Sequence, residues 1–199
     1  PTLDQVSMSP KTVGGAVTFS HKLVIQSAPD VEQMVRRDLA DMIAVELDHK
    51  TLNGTGLNDQ PTGIFEQAGI QTKDFAAAAP TFAEVADMES MLAAANAYAE
   101  TGVAWLMNAA MAKDLRTTPK QGSGVEGNFI WEAERGGSVL DIPAYRTENM
   151  PDGYLLLANW SELLVGFWGG IEIDADPYGS NFLKGSVTVR VLADMDVAV

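Results

Sequence analysis

The chain has 199 residues, 46% of them hydrophobic, no cysteine, and a formal net charge of −14. That length supports one sizeable core or two small ones. The lack of cysteine excludes disulfides, thiolate metal sites and cysteine nucleophiles, and the acidic balance opposes nucleic acid and anionic lipid, since the 13 Lys and Arg are scattered.

No run of about 18 apolar residues exists, so no membrane-spanning helix is expected. Pro1 to Ser20 lacks a charged start followed by an apolar block, so no signal peptide is expected either. The chain begins on Pro, with residues that already look like a strand, which points to a processed or truncated chain. In Gln5 to Ser20, Val6, Met8, Val13, Val17 and Phe19 alternate with polar residues. Pro10 and Gly14-Gly15 interrupt the pattern, so an edge strand or a bulged pair is expected. Ser20 is placed to cap a short helical turn over residues 21–26.

A long helix is predicted over about residues 29–53. Pro29 suits its first position, and Asp30 and Glu32 complement the dipole. Val31, Met34, Val35, Leu39, Met42, Ile43 and Leu47 recur at spacings of three and four, which reads as a single apolar stripe. About 24 residues give roughly 36 Å, long for a chain of this size. Gly54 and Gly56 stop it, and Asn53 to Gly63 is a turn region. Thr81 starts a second helix with Glu84 at the capping-box position. Its expected stripe runs from Phe82 to Tyr98, and Gly102 is expected to end it.

Val103 to Met107 is a short apolar strand of the buried kind, and Asn108 caps a short helix over Ala109 to Leu115. Residues 119–128 form a Gly-rich loop. Phe129 to Trp131, Val139 to Ile142 and Tyr154 to Ala158 read as strands. Leu163 to Trp168 and Ile171 to Ala175, joined at Gly169-Gly170, are expected to form a hairpin. Val187 to Val199 alternates over 13 residues, about 43 Å if straight. The order is α+β, with the two ends of the chain forming one domain around an inserted block.

The candidate chemistry is sparse. LNGTGLNDQPTGI lacks the Lys-Ser/Thr of a phosphate loop and follows a helix, so a helix stop and domain crossover is the expectation. His21 and His49 are too few for a transition-metal site. The pairs Asp174/Asp176 and Asp194/Asp196 each share one side of a strand, and a solvated hairpin face is preferred over cation binding or acid–base work. Ser161 has no nucleophile elbow around it. Trp105, Trp131, Trp160 and Trp168 read as core or interface anchors.

Several stretches carry a resemblance in order along nearly the whole chain: VTFSHKLV, LNGTG running into QPTGI, AWLMNAAMAKDLR, SVLDIPAYRTENMPDGYLLLANW and NFLKGSVTVRVLADMDVAV. Together they resemble the Hong Kong 97-like major capsid proteins of tailed phages. The resemblance implies an α+β Hong Kong 97-like fold. Residues 1–57 and 159–199 would form a peripheral domain with the spine helix and a long β-hairpin. Residues 58–158 would form a mixed α/β apical domain. It also implies a non-enzymatic shell subunit with no cofactor and no catalytic or metal site. Its partners would be copies of itself in pentamers and hexamers, with portal and scaffold proteins. The protein would reside in the virion capsid, after the host cytoplasm, with no specific nucleic-acid binding and no membrane.

Two departures from the family pattern are visible. The N-terminal arm and extended loop are expected to be missing, or reduced to Pro1 to Gln5, so this chain alone is expected to be a monomer or weak oligomer. Some members cross-link a loop Lys to a strand Asn with a Glu assisting; aligned on NFLK, those Asn and Glu positions hold Gly185 and Leu192, so no cross-linking is expected. Arg36, Arg37 and Lys50 on the polar side of the long helix, with Asp194 and Asp196, are the expected subunit contacts. The alternatives are an encapsulin-like nanocompartment shell and, from another class, a small hydrolase using the Asp pairs.

Overall fold

A computed structural model describes residues 6–20, 22, 31–99, 101–120, 128–132, 137–176, 178 and 185–199. The chain divides into two compact units, Pro1–Gln67 with Val165–Val199, and Ala68–Leu164. The expected turn over residues 21–26, most of the loop expected at 119–128, the capping contributions of Pro29, Asp30 and Glu32, and the side chain of Val31 lie outside what is described.

The first unit is built on alternation. Strands β1 (Lys11–Ser20) and β8 (Ser186–Ala198) pair antiparallel along the whole of β1, from Lys11 opposite Met195 to Ser20 opposite Ser186. Strand β7 (Leu164–Asp176) adds to the other side of β8, giving the order β1-β8-β7. In β8 the odd positions Val189, Val191, Ala193, Met195 and Val197 are buried. Helix α1 (Val31–Asn53) packs over β8 and β1 and covers that face. Each apolar side chain fully buried there stabilises the fold by about 1.5–3 kcal/mol.

Two expectations change in this unit, and a third resolves to one of its alternatives. The stripe of α1 is narrower than its sequence pattern. Leu39, Ile43 and Leu47 are buried at four-residue spacing, whereas Met34 and Met42 are 54% and 58% exposed. A helix seated on only two strands offers one row of side chains to the sheet, so flanking apolar positions stay in water. Strand β1 is the expected edge strand rather than a bulged pair, and it runs unbroken through Gly14-Gly15, which sit opposite Leu192 and Val191 in regular register. The expected hairpin at Gly169-Gly170 is one continuous strand, β7. Gly169 sits inside it at φ 80°, the backbone of a bulge rather than of a chain reversal.

The crossover after α1 stays with the first unit, and its hydrogen bonds say why. Gly54 N–H donates to Lys50 O (2.9 Å), Gly63 N–H to Gly54 O (2.8 Å) and Gly56 N–H to Pro61 O (3.1 Å). Asn58 and Asp59, at φ 52° and 63°, make the tight reversal between them. A single 3₁₀ turn, Ile64–Glu66, then packs back on α1. At Gly54 a Cβ would lie 2.2 Å from Pro61 O, and at Gly63 it would lie 2.4 Å from Gly54 N. Only glycine lets the two backbones approach this closely.

The second unit holds helices α2 (Phe82–Ala94) and α3 (Ala109–Thr117) and strands β2 (Val103–Met107), β3 (Trp131–Glu132), β4 (Ser138–Val139), β5 (Ile142–Arg146) and β6 (Leu155–Asn159). The sheet order is β3-β4-β5-β2-β6; β2 runs parallel to β5, and the other pairs are antiparallel. Central strand β2 is apolar on both faces, as its sequence requires. Trp105 is fully buried and its indole N–H donates to Val139 O (3.1 Å). Met107, Met111, Leu115 and Val139 pack around it.

Two boundaries moved here as well. Val139 to Ile142 is not one strand, because Leu140 and Asp141 take φ 52° and 63° and turn the chain between β4 and β5. Helix α2 ends at Ala94, not near Gly102. Asn96 takes φ 56° just beyond, the left-handed position that closes a helix, so Tyr98 is not on its stripe.

Candidate subunit interface

The five residues expected at a subunit contact do not form one cluster. Arg37 is exposed on α1, and Arg36 is half-buried with an interaction of its own inside the chain. Lys50, in the last turn of α1, is engaged twice: its ammonium lies 3.3 Å from the Glu46 carboxylate one turn back and donates to Gln60 Oε1 at 3.4 Å. Lys11 Nζ reaches Gln60 O (3.3 Å), and Thr55 Oγ1 donates to the same Gln60 Oε1 (3.3 Å). Gln60 therefore gathers the end of α1, the start of β1 and the crossover turn. A lone Gln in a turn carried no sequence signal of that role.

The acidic pairs are also divided among local tasks. Thr12 Oγ1 donates to Asp194 Oδ1 (2.6 Å), across the β1–β8 ladder. Asp196 corrects the expectation of a solvated hairpin face: it is buried, and it accepts from Ser9 N–H at 2.9 Å. A buried carboxylate needs such donors to offset its desolvation, and this one ties the approach to β1 onto the end of β8. Asp174 meets Arg190 (3.0 Å), and Asp176 accepts from Tyr178 N–H (2.8 Å). Among the described residues no group of three His, Asp or Glu side chains could hold a metal. His49 Nδ1 is buried without a hydrogen-bond partner among them.

Two surface features carry more than those residues do. One is an open groove of about 920 Å³ beside α1, floored by Val13, Leu39, Ile43 and Val191 and edged by Lys50 and Gln60. The other is β7, where Val165, Phe167, Trp168 and Ile171 all stand in water. The four tryptophans split accordingly: Trp105 and Trp131 are core, Trp160 is half-buried with its indole N–H on Ala104 O (3.1 Å), and Trp168 is exposed. The apolar edge was legible as an uncharged run, LLVGFWGGI, over residues 163–171.

The chain is thus a two-unit α+β protein whose four strand aspartates are engaged by backbone or strand partners, with a long exposed apolar edge. Residues 1–199 match the phage capsid family, and the chain belongs to that family. A major capsid protein from Halomonas phage phiHAP-1 is 27% identical over 195 residues, covering 96% of this chain. This chain spans 31% of that protein's length. The fold is similar to the capsid of a native GTA particle in C5 symmetry, with TM-score 0.75 and 20% identity over 100% of this chain and 72% of that one. It is also similar to the holo-SrpI encapsulin complex from Synechococcus elongatus, with TM-score 0.64 and 14% identity over 96% of this chain and 70% of that one.

Proposed function

We propose that this chain is the wall-forming part of a phage or prophage major capsid protein, self-assembling into an icosahedral shell around DNA. The observation that carries the reading is the family match over all 199 residues. In this reading the first unit is the peripheral domain of a Hong Kong 97-like subunit, α1 its spine helix and β7–β8 its long hairpin. The second unit is the apical domain. The work of the protein is burial and charge complementarity between copies, with no catalytic step. Portal and scaffold proteins are its further partners, and it passes through the host cytoplasm before the virion.

Of the five polar candidates, Arg37 is the one whose exposure best suits an ion pair to a neighbour, because Lys50, Asp194 and Asp196 have partners within the chain. A screened surface pair of that kind contributes about 0.2–1 kcal/mol. Apolar burial must therefore supply most of the assembly energy.

The similarity to an encapsulin supports a second reading, a nanocompartment shell around protein cargo. Electron microscopy of the full-length product separates the two. Closed icosahedral particles that hold DNA support the capsid reading, and particles that hold an enzyme instead support the second. A full-length protein that stays strictly monomeric sinks both.

A further inference from the structure

We infer that β7 is the edge through which one copy of this chain adds to another, strand against strand in antiparallel orientation. The inference rests on the shell reading and names the surface that reading leaves open.

Among the described residues, strand β7 is the outer strand of the order β1-β8-β7, so its far side offers backbone N–H and C=O groups to an incoming strand. Its side chains are apolar and exposed: Phe167 is 59% and Ile171 49% in water. For Ile171 the helix explains why. Arg190 and Asp174 pair across the strands, so they share a face. Successive side chains alternate, so Ile171 and Ile173 lie on the other face, with Val189 and Val191. Those two valines are buried under α1, which packs over β8 and β1. Over this stretch of β7 the same face leaves Ile171 in water, while Met8 lies against Gly166 farther along the strand.

Natural edge strands are usually guarded by a charge, a proline or a cover. Residues 163–171 carry no charge and no proline. Exposed apolar strips of this kind mark interaction sites. A second copy fits on charge. Each chain bears −14, so most of its surface repels another copy. The uncharged run is where two copies approach at least electrostatic cost. The acidic residues Glu172, Asp174 and Asp176 then set the direction. Parallel in-register pairing would stack them on their own equivalents, which is destabilising. Antiparallel pairing centred on the uncharged run sets Glu172 opposite only the partner's Glu162 and carries Asp174 and Asp176 past the partner's strand, so it meets fewer like charges than the parallel arrangement, and the contact is self-complementary about a two-fold axis.

The absence of native cysteine gives a clean test. In the full-length protein, Phe167→Cys should give a disulfide-linked dimer of two copies under mild oxidation, while Tyr145→Cys, equally exposed in the second unit, should not. Phe167→Glu should lower particle yield about tenfold while thermal unfolding stays unchanged. Phe167→Ser serves the same purpose if the charge disturbs folding. Wild-type particle yield from Phe167→Glu or Phe167→Ser, with no Phe167→Cys dimer, overturns the proposal. So does capture of a different protein, or no cross-link because another segment of the same chain lies on β7. If the wild type forms no particles yet Phe167→Cys dimerises, the shell reading fails and the strand pairing stands. If particles form and none of these substitutions matters, the reverse holds.

Discussion

The two units solve the same problem differently. The second closes on itself. Trp105, Met107, Leu115 and Val139 are all fully buried between sheet and helices, and its most exposed aromatic residues, Tyr98, Tyr145 and Tyr154, each carry a hydroxyl for water, with Phe129 the less exposed exception. The first has a one-sided core, a single helix row set on two strands. It leaves Met34, Met42, Phe167 and Ile171 in water, none with a polar tip. Stability in the second unit is intramolecular. In the first, much of the apolar surface gains nothing until something outside the unit covers it.

The comparison breaks most directly at Trp105. Replacing it with Ala removes the largest fully buried side chain and the hydrogen bond to Val139 O. A loss of about 3–5 kcal/mol is expected by urea denaturation followed by circular dichroism. A loss below about 1 kcal/mol would mean that the second unit does not depend on its own buried core. Next in size is Gly63→Ala in the first unit. The new Cβ would lie 2.4 Å from Gly54 N and 2.6 Å from Leu52 O, both backbone atoms. Overpacking there should cost about 1–3 kcal/mol. Hydrogen–deuterium exchange should speed up over residues 50–63 and leave the second unit unchanged.

Which parts of this contrast could be read beforehand follows from where each signal resides. Val103–Met107 and the long strand β8 declared themselves because their side-chain pattern and their burial have one cause. The caps Thr81 and Asn108 were legible because the bonding is local to the helix start. Turn geometry at Leu140-Asp141 was not, since Leu140 disfavours positive φ and the neighbouring strands impose it. Gly169-Gly170 misled for a related reason: a glycine pair permits both a hairpin turn and a bulge, and the β8 ladder decides between them. For the candidate contacts, charge type was readable but commitment was not. Nothing local to Lys50 or Asp196 says that Gln60 and Ser9 are waiting for them. The apolar edge was visible as sequence, but its exposure depends on how far α1 reaches.

A smaller effect is expected at Asn108. It is buried, it accepts from Met111 N–H (2.8 Å), and its amide donates to Asp152 Oδ1 (2.8 Å). Asn108→Ala uncaps α3 and strands one acceptor, at about 1–2 kcal/mol. In thermal unfolding, each 1 kcal/mol lost from a unit of this size lowers the midpoint by roughly 4–8 °C. Asn108→Ser should recover part of that loss, because a hydroxyl can still accept from the helix start. A midpoint unchanged by Asn108→Ala would show that the cap contributes nothing to the self-sufficiency of the second unit.

The smallest effect distinguishes the units by pH. Hydrogen bonds from Thr81 N–H (2.7 Å), Ala76 N–H (2.8 Å) and the Thr81 hydroxyl (2.8 Å) hold the Glu84 carboxyl below its ordinary value. The folded state therefore binds that proton less readily than the unfolded chain does. The stabilisation is fully present above the unfolded carboxyl's titration and is lost as pH falls through the lowered folded value. Glu84 is on the surface, so solvent screens much of the effect. Glu84→Gln keeps an acceptor at the capping-box position and removes the titration. The variant's unfolding midpoint should thus approach that of the wild type as the medium is acidified, and fall below it near neutrality. Because Trp105, Trp131 and Trp160 all belong to the second unit, tryptophan emission reports chiefly on that unit. A difference between wild type and Glu84→Gln that stays constant across the acidic range would place the origin of any acid sensitivity in the second unit elsewhere than at this cap.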